Sequence, residues 1–233
     1  MKNKFLTVKR AAGLSYLGLC LTGYLVGYVF NFEIYTGENA STTAATLVQK
    51  ASFTRLGIAI EWISAGFQIL VATLLYKLYS KENRRAAGIL FVFGCVNTIL
   101  IGLSAVTGLN TLNGALTKEP VELLVNSYLM HETIWRVSGI LFGLWLLPLS
   151  YLALKAKDPI VVVVLLFVGA SEHILSALVA PQMLHLEREA LHGMTLIPAS
   201  LGELVFTVYL LIAAKSNIPP TAHPNSQLQT PSQ

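Results

Sequence analysis

The chain alternates between long apolar runs and short polar turns. Apolar windows of about 20 residues, enough for a helix to cross roughly 30 Å of hydrocarbon, fall at Ala11 to Phe30, Leu56 to Tyr76, Ala86 to Val106, Ile134 to Leu154, Pro159 to Val179 and Leu196 to Ala214. This pattern predicts an all-α fold, a polytopic membrane protein built as a six-transmembrane-helix bundle. The connections are too short to fold alone, so residues 1–215 read as a single domain. Residues 216–233 are rich in Pro, Asn, Gln, Ser and Thr and are expected to form a disordered cytoplasmic tail.

Several connections carry helical signals of their own, which predict short outer interfacial helices. Ser41-Thr-Thr-Ala-Ala-Thr begins with capping residues, and Ala44, Leu47, Val48 and Ala51 follow at amphipathic spacing. Lys118-Glu-Pro-Val-Glu places proline in a first turn, so the fourth helix is expected to start above the membrane. Met183, Leu186 and Ala190 share one face of an expected interfacial turn, with His185, Glu189 and His192 around it. Within the spans, Pro148 is expected to kink the fourth helix, Gly23-Tyr-Leu-Val-Gly27 is a small-xxx-small pattern expected to pack closely inside the bundle, and Asn97 is expected to hydrogen-bond a neighbouring helix.

Composition agrees with this pattern, because charged residues make up only 12% of the chain against about 25% in soluble domains. A net charge of +4 raises the question of nucleic acid, but the basic residues are dispersed. Lys2, Lys4, Lys9, Arg10, Lys77, Lys81, Arg84, Arg85, Lys155, Lys157 and Lys215 fall on one side of the bundle. Such an excess predicts a multi-pass protein with N and C termini cytoplasmic; its partner is the lipid bilayer and not nucleic acid. The first apolar run exceeds the roughly 7 to 15 residues of a signal-peptide core, so it reads as a retained helix. Cys20 and Cys95 both lie in apolar spans, and no disulfide framework is expected.

The candidate chemistry lies in ionisable residues within or beside the spans. An uncompensated charge there costs roughly 2.5 to 3.5 kcal/mol on insertion scales and calls for a partner. Glu61, Glu132, Glu172 and Glu203 come from different helices, and the helical rise places all of them at the outer edge or in the outer third. Glu132 and Arg136 are spaced to pair within their helix, Arg55 is available to Glu61 or Glu203, and His131 and His173 each adjoin a glutamate. The carboxylates outnumber these cations. The surplus requires shared protons, hydrogen bonds to the histidines or a bound cation.

Three readings follow. The cluster is a structural polar network that fixes helix positions, a site for a small cation, proton or polar ligand, or the centre of a metal-dependent membrane hydrolase. No cofactor is predicted, and a divalent metal belongs only to the third reading. Against it, the chain has no HExxH motif, and the adjacent pairs His131-Glu132 and Glu172-His173 diverge by about 100° on a helix.

Three stretches carry a family resemblance. These are Arg10-Ala-Ala-Gly13-Leu-Ser-Tyr16, the Ser41 to Thr46 segment leading to Arg55, and Pro198-Ala-Ser-Leu-Gly202-Glu203 followed by Tyr209-Leu-Leu. From about residue 10 to 213 the chain resembles a family of uncharacterised bacterial membrane proteins, domain of unknown function 4386. Its Lys155-Ala-Lys-Asp-Pro-Ile turn lacks that family's proline-then-glycine ending. The resemblance implies a multi-helix bacterial membrane protein with Glu203 as a family position, and it implies no activity; with the charge pattern, the expected location is the bacterial inner membrane.

Overall fold

The structure, a computed structural model, describes residues 2–30, 40–179 and 188–213. Among the described residues every regular element is a helix. Helix α1 (Lys2–Tyr24) runs into a π-helical segment (Leu25–Phe30); then come α2 (Ala40–Gln49), α3 (Ala51–Tyr79), α4 (Arg84–Leu116), α5 (Val121–Lys155), α6 (Ile160–Val179) and α7 (Arg188–Ala213). The disordered tail expected at 216–233, and Met183, His185 and Leu186 of the expected interfacial turn, lie outside the described residues.

Among the described residues four stretches are long and apolar enough to cross a membrane: Ala51–Tyr79, Arg84–Leu116, Glu122–Lys155 and Ile160–Leu178; Ser200–Ala213 is apolar but shorter. Their outward side chains, among them Leu70, Val92, Ile99, Val161, Val164 and Phe167, are exposed. Water would drive such a surface to associate, whereas lipid accommodates it. Helical structure also satisfies each backbone group within its own segment, as hydrocarbon requires.

The turns have identifiable causes. Asn83 caps α4, its Oδ1 accepting from the amides of Arg85 and Ala86 at 3.1 Å each. At the far end of α4, Lys118 adopts φ 58° while Glu119 N donates to Gly114 O and Lys118 N to Ala115 O. The end of α5 repeats this: Lys157 has φ 58°, Asp158 N donates to Ala153 O and Lys157 N to Leu154 O. Both are Schellman endings in which lysine occupies a left-handed position usually given to glycine. Pro148 lies inside α5 and does not end it.

Among the described residues six helices form a ring in which each packs mainly on two neighbours, in the order α1, α3, α4, α5, α6, α7 and back to α1. Its interior is filled at one end by Tyr16, Leu75, Leu90, Trp145, Leu149 and Phe206 with their neighbours. The turns at 80–83 and 156–159 lie at this end, here called the basic end. At the opposite, distal end, α2 packs on α3, α4 and α5 over a smaller core of Phe30, Leu47, Leu112, Ala115 and Leu124.

Close approach of α5, α6 and α7 depends on glycine. A methyl group on Gly143 would come within 2.7 Å of Ala170 O, and one on Gly202 within 2.5 Å of Leu165 O. The expected role of Gly23 and Gly27 is corrected, since among the described residues neither has a neighbour within 4 Å of its Cβ position. On α1 the inward glycines are Gly13, against Leu211, and Gly18, against Phe67. Helical rotation carries Gly23 about 140° round from Gly18, off the packed face.

Candidate functional site

Four of the ionisable residues singled out from the sequence, Glu61, His131, His173 and Glu203, fall into two centres between helices. The first lies where α3, α4 and α5 meet. Glu61 on α3 is 3% exposed. Its Oε1 accepts from Trp135 Nε1 of α5 at 3.0 Å and from Ser104 Oγ of α4 at 3.2 Å. Ser104 Oγ is also 3.0 Å from His131 Nδ1, which lies 3.2 Å from Ser104 O. Because the serine proton goes to Glu61, the network assigns a proton to His131 Nδ1, which then donates to Ser104. The result is a chain of hydrogen bonds from imidazole through hydroxyl to carboxylate. Glu61 Oε2 has no hydrogen-bond partner among the described residues.

The second centre lies between α1, α6 and α7. His173 Nε2 is 3.1 Å from Glu203 Oε1, and Cys20 Sγ donates to Glu203 Oε2 at 3.8 Å. Phe142 of α5 packs edge-on against the His173 ring at 5.0 Å. Gly143, beside His173 Cβ, is separated from Trp135 of the first centre by about 12 Å of helical rise. The carboxylates expected at one level are thus distributed between two depths and two helix interfaces.

The remaining candidates lie beside or beyond these two centres. Glu132 is half-buried and accepts from Tyr128 OH at 2.6 Å within its own helix, while Arg136 is exposed. Arg55 is also exposed, and the donors to Glu61 and Glu203 are other groups, so its expected service to either carboxylate is corrected. The reason is reach: Arg55 precedes Glu61 by more than one and a half turns, roughly 9 Å of rise. Glu172 is half-buried beside His173. Among the described residues no three His, Cys, Asp or Glu side chains are gathered so as to hold a metal ion.

A third polar centre, at the basic end, was not anticipated. Asp158 Oδ2 accepts from Tyr79 OH at 2.6 Å and its Oδ1 accepts from Tyr209 OH. Lys9 Nζ donates to Tyr209 OH at 3.0 Å and lies 4.3 Å from the centre of that ring. The Schellman ending of α5 aims Asp158 into this contact, which ties α1, α3 and α7 to the α5–α6 turn. The sequence signal was thin, since an Asp-Pro pair before a helix reads as a simple start.

Other polar groups line the bundle interior. Ser138 Oγ donates to Asn97 Oδ1 at 2.7 Å, the interhelical bond expected of Asn97. Polar positions recurring at 61, 64 and 68 on α3, and at 97, 104, 107 and 111 on α4, were the available signal for this face, because each set follows the helical period.

The match to known families follows this architecture. The model of Domain of unknown function (DUF4386) matches residues 11–214. The chain belongs to this DUF4386 family. The match spans all six helices of the ring and includes Glu61, Glu203 and Asp158. No curated protein matches the chain, and no solved structure does.

Proposed function

We propose that this DUF4386 member is a six-pass protein of the bacterial inner membrane, with both termini cytoplasmic, whose Glu61 centre binds a small cation or a proton from the outer side. The basic residues around the 80–83 and 156–159 turns support this orientation. About 30 Å of helix measured from those turns reaches Ile60, Ser104 and Trp135. Glu61 then sits at the outer edge of the hydrocarbon, roofed by α2 and the distal parts of α4 and α5.

One observation carries the binding role: a carboxylate 3% exposed spends both of its hydrogen bonds on one oxygen and none on the other. A buried oxygen without a donor costs about 1–3 kcal/mol. A bound cation would meet that oxygen, a proton on it would remove the buried negative charge, and Ser104 with His131 offers a short hydrogen-bonded path for a proton. The second and third centres favour the structural reading for themselves, because their carboxylate oxygens are bonded to neighbouring side chains.

Thermal unfolding of the purified protein in sodium, potassium and ammonium salts, with infrared spectra across pH, tests the proposal. A bound cation raises Tm by mass action, and a proton on Glu61 gives a carboxylic-acid band; Glu61→Gln removes either signal while the fold persists. Loss of neither signal in Glu61→Gln would overturn it.

A further inference from the structure

Four side chains deeper in the ring have polar atoms with no hydrogen-bond partner: Tyr16 OH, both amide atoms of Gln68, Asn97 Nδ2 and Trp145 Nε1. All four residues are completely buried. Natural proteins leave few such groups unmet, because each costs free energy comparable to a lost hydrogen bond. Here they come from four separate helices, α1, α3, α4 and α5: Trp145 Nε1 lies at the α3–α4 seam that carries Gln68 and Asn97, and Tyr16, stacked on Trp145, has its hydroxyl within electrostatic range of Glu203 and Cys20.

Their placement follows from the packing. A methyl group on Gly94 would lie 2.5 Å from Ala72 Cβ and 3.2 Å from Trp145 Nε1, so the indole N–H points at the α3–α4 seam. Gln68 is one turn from Ala72, and Asn97 one turn from Gly94, both on the side toward Glu61. Tyr16 stacks on Trp145 with ring centres 5.8 Å apart. Turning the Asn97 amide over does not cure its orphan, because Ser138 engages only one end of it. Buried Ser64 stands on the same face of α3 between Gln68 and Glu61.

We propose that Gln68, Asn97 and Trp145, with Tyr16 at the end toward Glu203, form an internal hydration site, a short file of bound water that continues the Glu61 centre into the bundle. The set has the chemistry water needs, with an indole donor, amide donors, an amide acceptor and a phenol that does both. A buried water makes about three such bonds. The role of the file, a route for proton exchange with Glu61, rests on the proposed function; its existence does not.

The test is nuclear magnetic resonance of the indole protons in the full-length, detergent-solubilised protein, with Trp145→Phe to assign the signal. A cross-peak between water and the Trp145 indole proton is expected, and Gln68→Leu or Asn97→Leu should weaken or abolish it. Absence of that cross-peak in the unmodified protein overturns the proposal. So does a rise in Tm in both leucine variants, the result for amides that bond nothing. Neither measurement depends on cation binding at Glu61, so the two readings fail separately.

Discussion

Asp158 and Glu61 are carboxylates held among helices near opposite ends of α3, and their surroundings differ in kind. Each oxygen of Asp158 receives a tyrosine hydroxyl, and Lys9 backs one of those tyrosines. Glu61 receives an indole and a serine hydroxyl on the same oxygen, with the second oxygen unmet. The Asp158 centre has its hydrogen-bonding capacity filled by its own chain, which is what a structural tie between helices requires. Asp158 is half-buried and Glu61 is 3% exposed, yet the more buried of the two is the one left unfinished. The accounting of donors and acceptors, more than burial, separates the two centres.

The largest expected effect breaks the tie. Asp158→Ala leaves two tyrosine hydroxyls without their acceptor, one on the nearly inaccessible Tyr79, and should cost about 3 kcal/mol in denaturant or thermal unfolding. A loss below about 1 kcal/mol would erase the contrast with Glu61. Next, Gly202→Ala meets a backbone carbonyl that cannot swing aside, and a loss of about 2 kcal/mol is expected. Gly23→Ala, with open space around it, is the control and should be close to neutral by the same measurement.

A smaller change is expected at the unfinished centre. Glu61→Gln keeps an oxygen for Ser104 and Trp135, so stability should shift by no more than about 1 kcal/mol while the cation or proton signal disappears. A loss as large as that of Asp158→Ala, with no binding signal to lose, would make the two ends alike. The smallest effect sharpens the frame of the comparison. Lys157→Gly relieves a left-handed lysine at the turn that aims Asp158, and should raise stability by about 0.5–1 kcal/mol, read as a higher Tm.

Much of the helical layout was legible because the membrane imposes a simple rule on sequence. The runs at Leu56 to Tyr76 and Ala86 to Val106 became α3 and α4, each longer than the apolar window because its distal turns are polar enough to escape a hydropathy count. The capping residues near Ser41 announced α2, and Lys118-Glu-Pro announced the start of α5. The candidate site was legible only residue by residue. Glu61 with His131, and His173 with Glu203, needed partners such as Ser104, Trp135 and Cys20 that carry no charge and look like ordinary lining of a span.

What the amino-acid order determined by itself was the number and placement of apolar segments, the capped turns between them and the family of the chain, because these depend on local hydrophobicity, backbone preference and short motifs. Only the tertiary structure decided which helices are neighbours in the ring and how far each is rotated and shifted along its axis. Those two quantities place Gly143 rather than Gly23 at a contact, bring Asp158 between two tyrosines, and leave one oxygen of Glu61 unmet. They are set by side chains meeting across distant parts of the chain, and no local pattern records them.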